Sequence, residues 1–407
     1  MSVVALSAAH ETGSGPALAE PCGDAAGPVA GIAFADGIAA ALPAWRALAD
    51  GGAVATAFQR ADWIDAWQRH VGDREGARPV IAIGRDRAGA PCFLWPFVAT
   101  RGAVTVARFP GGAHAGLNIG LWRPDAAAAM TAATLSDLLS RTGRRHGIDV
   151  FALTRQPPRW RGLANPFALL PHQPSVDDVP AVTFPTGGVD DVMKAVVTRD
   201  MRGRLRTKER KLEKLAGYRY RRVASEAEAE RVLDAFLAQK AAHFAAQGIR
   251  DVFAAPGVAA FLRESCRAGL AEGWPAVALH ALECDDEVIA VMGGVADGHR
   301  FSCMFNSYTT SENGRWSPGL ILITHILRDC AERGLAGFDL GPGAAGYKSF
   351  FCREPENLFD SVIGVSWRGR AAALALSSAA AARRRAKESP LVMSLVQRLR
   401  RGTAGGG

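Results

Sequence analysis

The sequence predicts an α+β protein of two domains, each a mixed sheet flanked by helices. Three observations lead there. The chain has 407 residues, which at roughly 100–200 residues per domain divides most simply into two. Both halves carry helical periodicity, then three successive strand-like runs, then a helix and a further strand. Between them the prolines at 157, 158, 166, 171, 174, 180 and 185 exclude long regular elements and mark a connection. The resulting division is a leader over 1–33, an N-terminal domain over 34–185, a C-terminal domain over 186–370 and a basic tail over 371–407.

In the first half, Ile38 to Leu48 and Phe58 to Trp67 keep helical spacing, with Trp63, Ile64 and Trp67 on one face. Val80 to Ile83, Phe93 to Val98 and Val104 to Phe109 read as strands, the first two joined by the turn at Asp86, Arg87 and Gly89. A helix from Ala126 to Arg145 and a strand at Val150 to Leu153 follow. In the second half, Met201, Leu205, Leu212 and Leu215 hold one helical phase until Gly217 stops it. Tyr218 to Val223 alternates as a strand, and Ser225 with Glu228 forms a capping box for a helix running to Gln247. Pro256 opens the next helix. Val277 to Leu282, Val288 to Val295 and Phe301 to Phe305 are three successive strands. Ser317 then caps a buried helix with Pro318 at its first position. Phe338 to Leu340 and Phe359 to Val365 are the last strands, expected to close the second domain.

Composition narrows the function class. Hydrophobic residues at 48% and charged residues at 22% are ordinary globular values. The net charge of +8 suits an anionic ligand or surface without naming one. The cysteines at 22, 92, 266, 284, 303, 330 and 352 have no paired C-x-x-C spacing and mostly sit in apolar runs, so a reduced, cytoplasmic protein without a zinc ribbon or disulfide framework is expected. Neither a signal-peptide pattern nor the ~20 apolar residues of a spanning helix is present.

Several segments hold residues fit for chemistry. At Trp316-Ser317-Pro318-Gly319 a helix start offers free N–H groups and the positive end of the helix dipole, suited to a phosphate; the same residues also suffice simply to start a helix. The strand ending in Asp339 runs into a glycine-rich loop that reaches Tyr347 and Lys348. That pattern puts Asp339 at a sheet edge, to orient or deprotonate an acceptor, with Tyr347 or Lys348 assisting a leaving group; turn capping and packing are the bland alternative. The basic helix with Arg202, Arg204, Arg206, Lys208, Arg210, Lys211 and Lys214 could grip a phosphorylated donor, a nucleic-acid backbone or an acidic glycan, or be a solvated face. It lacks the interleaved aromatics that stack bases, which argues against nucleic acid. His114 and Asn118, in a loop after a strand, are candidate substrate contacts, although a histidine without a visible partner serves structure as readily. No metal-ligand spacing occurs. The C-terminal stretch with Arg383, Arg384, Arg385, Arg398, Arg400 and Arg401 reads as an exposed tail that, if helical, would suit an anionic membrane surface.

Together the basic helix, Leu212-x-x-Leu215-Ala216-Gly217-Tyr218, Trp316-Ser317-Pro318-Gly319-Leu320, Arg333-Gly334-Leu335, Phe338-Asp339-Leu340-Gly341 and Tyr347-Lys348 resemble the CelD-type branch of the GNAT acyltransferases, associated with cellulose and other exopolysaccharide biosynthesis. Phe58-x-x-x-x-Trp63-Ile64-x-x-Trp67 is similar to that family's first helix, so the resemblance spans residues 40–370. It implies two GNAT-like domains, as in Fem-type aminoacyltransferases, the second being catalytic. It also implies transfer of an acyl group, acetyl in the simplest case, from acyl-CoA to an amine or hydroxyl of a small-molecule or glycan acceptor. Donor phosphates would sit at Ser317 and its neighbours, the thioester along a splayed strand pair near Phe301 to Phe305. The loop Asn313-Gly314-Arg315-Trp316-Ser317-Pro318-Gly319 matches the usual acyl-CoA loop, Gln/Arg-x-x-Gly-x-Gly/Ala, only in part. An aminoacyl-tRNA-dependent transferase, with Arg202 and Arg206 holding RNA, and a non-catalytic scaffold of a polysaccharide-synthesis complex are the alternatives.

Overall fold

The computed structural model of the chain describes residues 20–21, 28–343 and 346–388. Most of the leader, Cys22 and the tail arginines Arg398, Arg400 and Arg401 lie outside the described residues. The first half runs β1 (Gly31–Ala35), α1 (Ile38–Asp50), α2 (Ala61–Trp67), β2 (Ala77–Arg85), β3 (Pro91–Thr100), β4 (Val106–Arg108), α3 (Ala132–His146) and β5 (Val150–Gln156). The connection holds β6 (Val179–Thr183), α4 (Val189–Val196) and α5 (Arg199–Leu212). Then come β7 (Arg219–Arg222), α6 (Glu226–Ala246), α7 (Val258–Arg267), β8 (Ala278–Cys284), β9 (Glu287–Ala296), β10 (Arg300–Tyr308), α8 (Pro318–Glu332) and β11 (Gly337–Asp339). The described chain ends with β12 (Glu354–Glu356), β13 (Phe359–Gly364) and α9 (Trp367–Glu388).

Local chemistry sets many of these boundaries. Side chains accept the first free N–H groups of three helices: Thr131 from Thr134, Thr198 from Met201 and Ser225 from Glu228. The Thr131 cap also splits the single helix expected over Ala126 to Arg145, leaving a short turn at Pro124–Ala128 ahead of α3. After α5, Gly217 adopts φ +67°, the left-handed conformation that reverses a chain at little steric cost.

The two halves repeat one plan. Each has a strand, two helices, three antiparallel strands, a helix, and a fourth strand parallel to the third. The parallel pairs are β4–β5, with Val106 opposite Val150, and β10–β11, with Arg300 opposite Gly337. The sheets are ordered β1-β2-β3-β4-β5-β13 and β7-β8-β9-β10-β11-β6-β12, the first extended at its ends by the short strands Glu20–Pro21 and Gln173–Pro174. The expected placement of two segments is corrected here. Phe359 to Val365, read as the strand closing the second domain, lies antiparallel to β5 in the first sheet as β13. Conversely β6, from the proline-crowded connection before residue 185, lies between β11 and β12 in the second sheet. Alternation of apolar residues reports which face of a strand is buried; it is silent on which sheet edge accepts the backbone hydrogen bonds.

Packing joins the halves. One core runs from Trp63, Trp95 and Phe97 of the first half into Phe236, Phe261 and Phe305 of the second; Trp63 meets Phe261 edge-on at 5.4 Å. A second core covers the opposite face of the second sheet, where α8 buries Ile321, Leu322, Ile323, Ile326, Leu327 and Cys330 against Phe301 and Phe338. At about 1.5–3 kcal/mol per buried large aliphatic side chain, that face alone anchors α8 and fixes where its first turn points. Six cysteines, from Cys92 to Cys352, are free and buried. Among the described residues no helix is long and apolar enough to cross a membrane.

Candidate functional site

The site is built where β10 loses its neighbour. β10 and β11 pair only over Arg300–Ser302 and Gly337–Asp339, and Gly341, at φ +70°, turns the chain away. A Cβ there would lie 2.6 Å from the Cys303 carbonyl oxygen, so this close departure requires glycine. β10 continues through Tyr308 with that side open. On its other side the register against β9 shifts between Gly293 and Gly294, opposite Phe305 and Cys303, which leaves Met304 as an extra residue outside both ladders.

A cavity of about 320 Å³ occupies the open side. Its walls bring together Asn306 and Tyr308 from β10, Ser317, Pro318 and Gly319 from the start of α8, and Tyr347 from the loop after β11. Ser317 differs from expectation. Its side chain caps no N–H, and its backbone is left-handed, φ +59°. The strain is held between the turn over Glu312–Trp316 and the fixed φ of Pro318, and it turns the hydroxyl toward α5, where Lys208 Nζ donates to Ser317 Oγ at 2.7 Å. Because Pro318 has no N–H, Gly319 carries the first one of the helix. Ammonium, N–H and helix dipole thus converge beside one mouth of the cavity. At the other wall Asn306 Nδ2 donates to Tyr347 Oη at 2.8 Å. Burial pushes the Tyr347 phenol up to about 12, so it stays a proton donor through the physiological range.

Four sequence candidates, Ser317, Pro318, Gly319 and Tyr347, therefore share one cavity. The rest stand elsewhere. The Trp316 ring is half-buried against the second core, with the Arg315 guanidinium 5.0 Å away. Asp339 is 1% exposed; it is not at a sheet edge, because β11 is flanked by β10 and β6. Ser302 Oγ donates to its Oδ2 at 2.5 Å and the Gly341 N–H to its Oδ1 at 2.9 Å. Lys348 Nζ donates to the carbonyls of Gly341, Pro342 and Gly343, which ties down the same loop instead of facing the cavity. Asn118 is buried, accepting from Gln59 Nε2 at 3.3 Å and donating to the Thr154 carbonyl at 3.1 Å. His114 packs 5.7 Å from Phe261, its basicity lowered by burial and by the Arg155 charge. Arg202 donates to the carbonyls of Met193, Lys194 and Val197 at the end of α4, and Arg206 pairs with Glu213 at 2.6 Å and Glu209 at 3.4 Å.

The sequence reading missed two participants and named a third without singling it out. Lys208 was one cation among seven in its helix, and nothing in spacing links it to a serine 109 positions later. Asn306 sits just past the run read as a strand. The bulge at Met304 is a matter of pairing register, which no single-strand pattern contains.

Residues 199–349 match the family model described as an acetyltransferase (GNAT) domain. The second half carries a GNAT acyltransferase domain. It supplies α5, Lys208, β10, α8 and Tyr347, the whole of the cavity's polar wall. No curated protein matches the chain in sequence. Among solved structures, the tandem GNAT protein from the clavulanic acid biosynthesis pathway is 12% identical, with 82% of this chain and 99% of that one covered and a TM-score of 0.43. L-PGS from Bacillus licheniformis is also 12% identical, with 82% and 95% covered and a TM-score of 0.46. FemX is 8% identical, with 75% and 92% covered and a TM-score of 0.54. At that identity the likeness to FemX is one of fold.

Three substitutions test side chains that the GNAT domain places away from the cavity. Burial lifts the Asp339 carboxyl to about 6 from 3.8, against the pull of Arg300, Ser302 and the Gly341 N–H. A carboxyl raised on folding favours the folded state most when protonated, so its contribution is complete below about pH 4 and is lost as pH rises through 6. A rise of about two units at 1.36 kcal/mol each corresponds to about 3 kcal/mol. Asp339→Asn is expected to flatten the thermal midpoint between pH 4 and 7, where the parent falls; an unchanged slope in the variant refutes the assignment. For α5, Arg206→Ala is expected to leave stability and donor binding nearly unchanged, the Arg206 side chain being more than half exposed. Arg202→Ala strips a charged donor from three carbonyls and is expected to cost about 1.5–3 kcal/mol in denaturant melts.

Proposed function

We propose that the protein transfers an acyl group, acetyl in the simplest case, from acyl-CoA to an amine or hydroxyl, with the glycan or small-molecule acceptor that the CelD-type resemblance implies. One observation carries this reading: a single cavity joins a cationic helix start to a buried tyrosine hydroxyl, inside a GNAT domain. The residues fit the donor. The Gly319 N–H and the Lys208 ammonium suit its phosphates, and the open side of β10 suits an extended thioester arm. A backbone N–H of the bulge, where Met304 stands outside both ladders, would receive the thioester carbonyl oxygen as it gains charge.

In the proposed reaction the acceptor nitrogen or oxygen forms a bond to the acyl carbon, the carbon–sulfur bond breaks, and Tyr347 Oη delivers its proton to the departing sulfur. The acceptor's own proton passes to solvent, which later restores Tyr347. Asp339 and Lys348 act through position: between them they hold the loop over 341–343 that brings Tyr347 to the wall. His114 and Asn118, as proposed acceptor contacts, would act only through the loop they stabilise. Six buried free cysteines support a reducing, cytoplasmic setting.

The test is calorimetry with a panel of acyl-CoAs at two salt concentrations, paired with release of free thiol in the presence of amine acceptors. Saturable acyl-CoA binding that weakens several-fold in Lys208→Ala supports the reading. Engagement of Arg202 and Arg206 within the fold argues against their gripping RNA, so a shallow salt dependence is expected. A steep salt slope with tRNA as ligand would favour the aminoacyl-tRNA alternative, and no donor binding at all would favour the scaffold.

A further inference from the structure

The last described helix stands outside the acyl-transfer site and has a chemistry of its own. α9 is held firmly in place. Val365 N–H donates to the Asp149 carbonyl at 2.7 Å, and Ser366 Oγ donates to Asp149 Oδ1 at 2.5 Å. Gly369 lies so close to the Asp149 carbonyl that a Cβ would stand 1.7 Å from its oxygen. Farther along, Gln173 Nε2 reaches the Ser377 carbonyl, Arg384 the Pro174 carbonyl, and Lys387 pairs with Asp177. Its inward face is small: Ala372, Ala373, Ser377, Ala380 and Ala381 are half-buried.

The outward face reverses the usual arrangement. Trp367, Ala371, Leu374, Ser378 and Arg385 recur at helical spacing and are all exposed. Trp367 is 80% exposed and Leu374 73%, although Leu at such positions on a docked helix ordinarily turns inward. The helix holds six cations, Arg368, Arg370, Arg383, Arg384, Arg385 and Lys387, against one acid, Glu388. Arg370 and Arg385, beside the Trp367 and Leu374 stripe, form no ion pair among the described residues. A tryptophan and a leucine held outward among unpaired arginines match the interface of an anionic bilayer, where indole sits at headgroup depth and guanidinium meets lipid phosphate. A second copy of this face would bring like charges together, and a nucleic-acid backbone would leave the two large apolar side chains in water.

We propose that the outward face of α9 docks the protein on an anionic membrane surface, lying on it without crossing it. The surface is independent of the acyl-transfer reading, since none of its residues lines the donor cavity.

The experiment is co-sedimentation of the full chain with phosphatidylglycerol–phosphatidylcholine vesicles and with pure phosphatidylcholine vesicles, at low and high salt. Binding to the anionic vesicles is expected, much weaker on the neutral ones and falling with salt. Each basic residue near such a surface contributes a factor of about five, so Arg370→Ala/Arg385→Ala is expected to weaken binding by about 25-fold. Trp367→Ser/Leu374→Ser is expected to weaken it at both salt concentrations. All four positions are exposed, and an unchanged thermal midpoint in the variants checks that the fold is intact whether or not vesicles or acyl-CoA bind. Equal binding to both vesicle types, no binding to either, or variants that bind like the parent each overturn the proposal. A concentration-dependent dimer abolished by Trp367→Ser/Leu374→Ser, without vesicle binding, assigns the face to a second copy instead.

Discussion

Tyr347→Phe is expected to bind acyl-CoA as tightly as the parent and to turn it over about a hundredfold more slowly. Positioned proton donors contribute about 10²–10⁴-fold, and the lower end applies because a thiol with a pKa near 8.5 departs tolerably well without one. The variant keeps the ring that lines the cavity and loses only the hydroxyl that Asn306 holds at 2.8 Å. Rate profiles sharpen the test. With its phenol at about 12, Tyr347 remains protonated across any practical assay range, so an alkaline limb below pH 10 belongs to some other group and persists in the variant. A fall confined to KM, or no fall, removes Tyr347 from the chemistry. Asn306→Ala, which frees the hydroxyl without deleting it, is expected to cost less than Tyr347→Phe.

Gly319→Leu is expected to weaken donor binding by two orders of magnitude or more, whereas Gly319→Ala is expected to stay within a few-fold of the parent. The difference is geometric. The nearest atom to a Cβ at this position is Tyr308 Cδ1 at 3.6 Å, an ordinary contact, and the backbone is not in a conformation reserved for glycine. A methyl group is therefore accommodated. The isobutyl group of leucine, on a residue that lines a cavity of about 320 Å³, is expected to project across the N–H that the donor's phosphates need. Thermal melts separate this from misfolding, since Gly319 lies at the mouth of the cavity and not in the packed face of α8. Unchanged donor affinity in a folded Gly319→Leu protein means that no phosphate sits there.

Much of this was legible in the sequence where the deciding forces are local. The pairing of helix breakers with caps, Gly217 after α5 and Ser225 before α6, located the elements of the second half. The Ser317-Pro318-Gly319 junction marked the wall of the cavity. Asp339 shows where local reasoning ends. A carboxylate at the end of a short apolar run reads as an edge residue, yet three residues of β11 lie at the centre of a sheet because β6 arrives from more than 150 positions upstream. Lys348 and Arg202 carried the right chemistry to bind anions; in the fold they meet backbone carbonyls, and a charge shows its partner only once the chain has closed on itself. The bulge at Met304 and the reach of Lys208 are of the same kind.

The exchange of β6 and β13 between the sheets bears on how the molecule comes into being. β13 pairs residue 364 with residue 150 and residue 362 with residue 152, so a ribosome making this chain emits the first sheet's other long strands well before the strand that completes its edge. During that interval β5 presents unpaired backbone groups on one side, the kind of edge that recruits other chains. The second sheet has the opposite timetable: β6 is made early and waits for β11. Neither half holds all the strands of its own sheet, and a cut after residue 185 would strip one strand from each. Each sheet is thus completed by a strand from the far side of the chain, so closing either one must bring together segments more than 150 residues apart.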